Sequence, residues 1–188
     1  MIGRPALFLD KDGVIVKPVN NEAPTDPKKL ELIPEIIPVI KKARKLGFLI
    51  IIVSNQPDIA TGLINEKNKN ELEIKFRKLV KENNIFIDKI YYCHHNSVGV
   101  NKKYLKNCTC QKPKPGMLLK AKIKFNINMS KSFIVGDRAS DIKAGKLAGV
   151  KTILYDIDSD QIPYLEKLRV LPDYKTNQLS EIIDIVSR

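Results

Sequence analysis

The sequence lacks any apolar run long enough to cross a bilayer. Its longest, residues 48–53, is six residues, against the roughly 20 that a spanning helix needs. The N-terminus has no extended apolar stretch followed by a small-residue cleavage site, so no signal peptide is expected, and the cytoplasm is the expected compartment. Acidic residues are few: 21 Asp and Glu stand against 33 Lys and Arg, for a formal net charge of +12. That balance suits an anionic partner, such as a phosphorylated metabolite, a nucleic acid or a membrane surface. The basic residues are scattered, however, with local pairs such as Lys41-Lys42 and Lys102-Lys103 and no long tract. No basic motif interleaved with aromatics is present, which argues against nucleic acid as the partner. Internal repeats, low-complexity segments and linkers are also missing. Cysteines number three, an odd count that argues against a disulfide framework.

What is present is an alternation of strands and helices. Residues 6–10 read as a first strand and residues 16–32 as a long loop. Pro34 opens a helix whose apolar stripe is Ile36, Ile37, Val39, Ile40 and Ala43, and Gly47 ends it. Residues 48–53 are continuously apolar, as in a strand buried on both faces. Helical patterns follow over 66–82, 117–125, 140–148 and 178–187, with strands over 90–92, 132–135 and 152–155, the last of these closing the sheet. A polar loop runs from the third strand to about residue 115. The expected fold is α/β, with a three-layer, Rossmann-like, mainly parallel sheet and helices on both faces. Residues 1–188 read as a single domain, with a small metal-binding loop at about 93–112 and a minimal cap.

Ligands on such sheets bind outside the C-terminal ends of the strands. Three of those ends carry Asp10-Lys11-Asp12, Ser54-Asn55-Gln56 and Gly136-Asp137-Arg138, so these residues should converge on one crevice. Asp10 and Asp12 stand two apart at a strand end, where side chains share a face. Two like charges held together need a proton or a cation, and magnesium prefers carboxylate oxygens. Asp137 could supply a third ligand, and Asp141, one helical turn on, could orient the site. Ser54 and Asn55 offer a hydroxyl and an amide to phosphate oxygens, and Lys112 a mobile positive charge.

The three cysteines lie within 18 residues, as Cys93-His94-His95 and Cys108-Thr109-Cys110. Three thiolates and one imidazole complete a tetrahedral zinc set. His94 could compete for the fourth position, and spacing favours His95. With four protein ligands the zinc would be structural. It would close a 14-residue polar loop and fix Lys112, two residues beyond Cys110.

In this order the residues resemble the haloacid dehalogenase (HAD) superfamily of phosphotransferases. Asp10 to Gly13 matches its Asp-x-Asp-Gly motif, Ser54 its second motif, Lys112 its third, and Gly136 to Asp141 its Gly-Asp-x-x-x-Asp motif. The likeness covers residues 6 to 156. It implies Asp10 as nucleophile, Asp12 as general acid/base, and magnesium held by Asp10, the Asp12 backbone carbonyl and Asp137. Ser54, Asn55 and Lys112 would hold the transferring phosphoryl group. The zinc loop with its Lys-Pro-x-Pro-Gly-Met continuation looks like the D,D-heptose 1,7-bisphosphate phosphatases, and histidinol-phosphate phosphatases share that loop. The resemblance therefore implies a phosphatase acting on a small phosphorylated sugar, and the small lid suggests a monomer. Two arginines usual in the heptose group are replaced by Thr61 and Gln111, and a Gly-Tyr-Val segment is replaced by residues 19–24. Arg138 and Lys103 are the candidates to replace the lost cations at a distal phosphate.

Overall fold

The computed structural model describes residues 3–155 and 160–187; residue 156, at the far end of the motif-bearing span, lies outside them. Six strands form one sheet: β1 (Ala6–Leu9), β2 (Leu49–Asn55), β3 (Lys89–Cys93), β4 (Phe133–Gly136), β5 (Lys151–Tyr155) and β6 (Tyr174–Thr176). Their spatial order is β3-β2-β1-β4-β5-β6, and every neighbouring pair is parallel. The helices are α1 (Ile36–Lys45), α2 (Asp58–Thr61), α3 (Glu66–Glu82), α4 (Gly116–Phe125), α5 (Ala139–Ala148), α6 (Ile162–Leu168) and α7 (Glu181–Val186). The strand at 152–155 is therefore not the last. Three-residue β6 follows it at the sheet edge, too short and too exposed for alternation to reveal.

The strands are apolar throughout because both faces are covered. Leu7, Leu9, Ile50, Ile52 and Val135 point into a core shared with α1, α3 and α7. Their neighbours Ala6, Phe8, Ile51, Val53 and Ile134 point into a second core with α4 and α5. Such period-two division fixes the register, since a one-residue slip would exchange the two cores. Near the open end of β5, Asp173 Oδ2 accepts from Thr152 N at 2.8 Å and Thr152 Oγ1 at 2.9 Å. Its Oδ1 lies 2.6 Å from Lys146 Nζ. Among the described residues no helix is long and apolar enough to cross a membrane.

The direction of winding reverses between β1 and β4, which lie side by side at the centre. The crevice beyond their C-terminal ends is where an open parallel sheet accepts a ligand. Asp10 and Asp137 sit at those two ends.

Candidate active site

Asp10 leaves β1 with its N–H donating to Val135 O at 2.9 Å, so the two central strands hold it jointly. Its carboxylate is buried. Oδ1 accepts from the Lys11 N–H at 2.7 Å and lies 2.9 Å from Lys112 Nζ. Among the described residues Oδ2 receives no hydrogen bond.

Asp137 and Asp141 complete a group with Asp10, one oxygen from each lying within 4.8 Å of the others. Glycine makes that approach possible twice. Gly13 adopts φ +84°, and a Cβ there would strike the Asp137 carboxylate; a Cβ on Gly136 would strike Asp141. Asp137 Oδ1 is buried without a hydrogen-bond partner. Burial, then Asp10 and Asp141, push Asp137 up to about 8. Burial likewise raises Asp141, to about 6, against the opposing pull of Lys112.

Lys112 is not mobile. It is buried, with its Nζ 2.5 Å from Asp141 Oδ1, 2.9 Å from Asp10 Oδ1 and donating to Val53 O at 2.9 Å. Burial pulls its pKa down, but the two carboxylates outweigh burial and hold it above the ordinary lysine value. Three carboxylates against one ammonium leave an excess of two negative charges, which matches one divalent cation. The all-oxygen donor set and the orphaned Asp137 oxygen fit a hard ion such as magnesium.

Asp12 departs from the expected pairing with Asp10. β1 ends at Leu9, and the chain then turns, the N–H groups of Ile15 and Val16 both donating to Lys11 O. The two-residue rule for strands no longer applies, and the Asp12 side chain is not in the carboxylate group. It accepts a short hydrogen bond from Gln56 Nε2 and lies 3.2 Å from Lys11 Nζ.

Asn55 does not present a free amide to the crevice. Its Oδ1 accepts from Lys112 N at 2.9 Å, and its Nδ2 donates to Lys112 O at 3.0 Å. The Ser54 hydroxyl is buried; it accepts from Gln56 Nε2 at 3.1 Å and donates to Asn55 O at 3.5 Å. Gln56 and Lys11 lie at strand ends expected to converge on the crevice, but sequence reasoning assigned them no role, and here both contact Asp12. The available signal was Gln56 two residues after Ser54, hence on the same side of the chain.

Cys93, His95, Cys108 and Cys110 converge. The sulfurs are 2.9 to 3.5 Å apart, and His95 Nδ1 lies 3.3 Å from Cys110 Sγ and 3.7 Å from Cys93 Sγ. A tetrahedron with zinc–sulfur bonds of about 2.3 Å has edges of about 3.7 Å, so the cluster has the size and donors for zinc. Burial works against ionising Cys108, but hydrogen bonds from Cys110, the Gln111 N–H and Cys93 outweigh it and bring the thiol down to about 6. His94 lies apart from the cluster, its Nδ1 3.2 Å from Gln56 O and its ring against Tyr92 and Tyr104.

Two cavities meet at the site. One of about 450 Å³ holds Asp10, Asn55 and Lys112, and the other, of about 600 Å³, extends toward Tyr155 and α6. Asp12 and Arg138 line both. Lys103 lines neither; it is paired with Glu66 at 2.8 Å and covers the Tyr104 ring.

The strand order, with a buried aspartate at the switch point facing a second aspartate and a fixed lysine, defines a HAD-type hydrolase. A family model described as HAD-hydrolase-like matches residues 109–182. A D-glycero-α-D-manno-heptose-1,7-bisphosphate 7-phosphatase of Photorhabdus laumondii is 41% identical over 143 residues, covering 76% of this chain and 77% of that one. The β-specific counterpart of Vibrio cholerae is 37% identical, covering 80% of each chain. Among solved structures, a HAD-like phosphatase of Mesorhizobium loti superposes with a TM-score of 0.82 at 28% identity, covering 99% of this chain and 87% of the other. A B. bronchiseptica D,D-heptose 1,7-bisphosphate phosphatase, complexed with magnesium and phosphate, shares the fold with a TM-score of 0.79 at 20% identity, covering 97% of this chain and 98% of the other. The chain belongs to the heptose-1,7-bisphosphate 7-phosphatase family of HAD-like hydrolases.

Proposed function

We propose that the protein is a magnesium-dependent phosphatase that removes one phosphate from a small sugar bisphosphate through an aspartyl-phosphate, with D-glycero-D-manno-heptose 1,7-bisphosphate as substrate. The observation that carries this reading is Asp10: buried at the switch point, with one oxygen fixed by Lys112 and the other free. Asp10, Asp137 and the Asp12 backbone carbonyl would hold magnesium, with Asp141 beside them. The ion would offset the repulsion between these carboxylates and an incoming phosphate.

Asp10 Oδ2 attacks phosphorus, and the bond to the leaving oxygen breaks as that oxygen takes the proton of Asp12. Asp12, now a carboxylate, takes a proton from the water that attacks the aspartyl-phosphate, freeing phosphate and restoring Asp10. Lys112 Nζ offsets charge on the transferring group. The long Ser54 hydroxyl contact at 3.5 Å can be given up to a phosphoryl oxygen. Asn55 serves by holding the Lys112 backbone. Arg138 is the cation that lines both cavities, and it takes the distal phosphate where Lys103 is already engaged. Cys93, His95, Cys108 and Cys110 would hold a structural zinc, with no position left for water. Three thiols free of disulfides suit the cytoplasm.

A second reading, histidinol phosphate, is favoured by one observation: Glu22 and Asp58 line the smaller cavity and would suit a cationic leaving group. Ranking kcat/KM across both heptose 1,7-bisphosphate anomers, histidinol phosphate and simple sugar monophosphates separates the two. The heptose assignment fails if its bisphosphate ranks no higher than the monophosphates. Asp10→Asn should abolish turnover with the fold intact, and retained turnover would refute the nucleophile.

A further inference from the structure

Asp12 is held more tightly than a side chain at the mouth of a crevice needs to be. Gln56 Nε2 donates to its Oδ2, and Lys11 Nζ lies 3.2 Å from its Oδ1. Lys11 Nζ also donates to Gln56 Oε1 at 3.1 Å, which closes the three side chains into a ring. The ring is itself anchored. The Gln56 backbone N–H donates to Cys93 O at 2.7 Å, its carbonyl faces His94 Nδ1 at 3.2 Å, and its Nε2 also reaches Ser54 Oγ at 3.1 Å. Lys11 is a buried cation lying over the Tyr92 ring, 5.9 Å from its centroid. A buried lysine costs free energy unless its partners repay the loss of water. Its partners here are the Asp12 carboxylate and the amide that grips it.

We infer that Gln56, braced by Lys11, is a positioning residue that aims the Asp12 carboxyl at the leaving oxygen; this rests on the reading of Asp12 as the acid/base. A carboxylate offers about four lone-pair directions. Gln56 takes one of them on Oδ2, Lys11 Nζ stands 3.2 Å from Oδ1 as a charge contact without a hydrogen bond, and Asp12 lines both cavities. In the first step phosphorus gains a bond to Asp10 and loses its bond to the leaving oxygen, whose electron pair takes the Asp12 proton. The carboxylate left behind is met by a donor already in place, the Gln56 amide N–H, and by the adjacent Lys11 positive charge. Lys112 plays no part in this clamp.

A structural role and a positioning role differ in how they respond to the leaving group. An alkoxide needs the proton of Asp12, whereas the phenolate of p-nitrophenyl phosphate departs without one. Since kcat/KM reports events up to departure of the leaving group, the readout is the ratio of kcat/KM for glycerol 3-phosphate to that for p-nitrophenyl phosphate. Gln56→Met keeps length and removes both donors. It should lower this ratio by tenfold or more, within the about 10²–10⁴ that a general acid supplies. An equal fall for both esters overturns the inference. Asp12→Asn is the reference: an unchanged ratio in that variant overturns the acid/base reading itself, whereas a collapsed ratio there with an unchanged one in Gln56→Met overturns only the clamp. If Gln56→Met does not fold, the Lys11 pair decides. Lys11→Arg should keep the ratio and Lys11→Met should lower it, and equal ratios in those two overturn the inference.

Discussion

Asp137→Asn should make the metal-free protein more stable at alkaline pH and deprive it of stabilisation by magnesium. Asp137 is pushed up to about 8, about four pH units above an ordinary aspartate. A folded-state value above the unfolded one means that the fold prefers the protonated carboxyl. The associated stability is fully present below about pH 4 and is lost as pH rises toward 8. At about 1.4 kcal/mol per pH unit the whole displacement is worth roughly 6 kcal/mol, and water reaching the crevice reduces this to roughly 3 kcal/mol. Asparagine has the same shape and cannot ionise. In the presence of a chelator at about pH 8, the variant should therefore melt roughly 6–12 °C above wild type, and the difference should shrink as pH falls and vanish below about pH 4. Asp141, held at about 6, titrates in both proteins, so the contrast between them reports Asp137 and grows from about pH 4 to 8. Millimolar magnesium should raise the wild-type melting temperature, more so as pH rises, because binding displaces the Asp137 proton. It should leave the variant nearly unmoved. Thermal unfolding of both proteins over this pH range with and without magnesium is the assay. Equal pH profiles, or equal stabilisation by magnesium, would refute the carboxylate cluster as the cation's cradle.

Cys108→Ser should lower zinc content measured by elemental analysis from one per chain and reduce kcat on the order of 10–100-fold, because Lys112 follows the zinc loop directly; full zinc occupancy in the variant would count against the four-residue set. Asp173→Asn tests the far side of the sheet. Burial raises the Asp173 carboxyl, but Lys146 and then Thr152 outweigh it and hold it below the ordinary value. Its contribution is present above about pH 4 and is lost as pH falls through the folded value. The variant should lose about 1–2 kcal/mol at neutral pH by urea unfolding, and the loss should shrink below about pH 3. A loss that persists undiminished in acid would mean that the carboxylate charge is not the cause.

The elements legible in the sequence are those whose burial repeats over enough residues. Helix α3 spans Glu66–Glu82, as read, because Asn65 caps it and its apolar positions recur over several turns. Strands β1, β2 and β4 are runs of buried residues, which periodicity detects because both sheet faces are covered. Helix α6 and strand β6 have seven and three residues, too few for a period to emerge. At the site, placement at strand ends brought Asp10 and Asp137 together, and the loop after β3 brought Lys112 to them. The geometry within that group depends on where each strand stops. Asp12 follows a turn rather than a strand, and Asn55 spends its amide on the backbone of Lys112, four residues beyond Cys108. Neither outcome leaves a trace in residue type.

The end of β2 explains why the two aspartates must part. Asn55 reaches toward Lys112, while Gln56, just past the strand, donates to Asp12 Oδ2 and Ser54 Oγ, so neighbouring residues at the strand end serve different parts of the site. The result is two clusters of different charge. Asp10, Asp137 and Asp141 with Lys112 carry an excess of two negative charges, whereas Asp12 with Lys11 is balanced. A divalent cation is drawn to the first and gains little from the second. A carboxyl that ligates a metal gives up its proton, and one without a proton cannot protonate a leaving group. On the proposed reading Asp12, outside the acidic group, is the carboxyl that carries the proton. On that reading the Asp-x-Asp spacing would serve two unlike functions because a turn follows the first aspartate, placing one carboxyl in the acidic group and the other outside it.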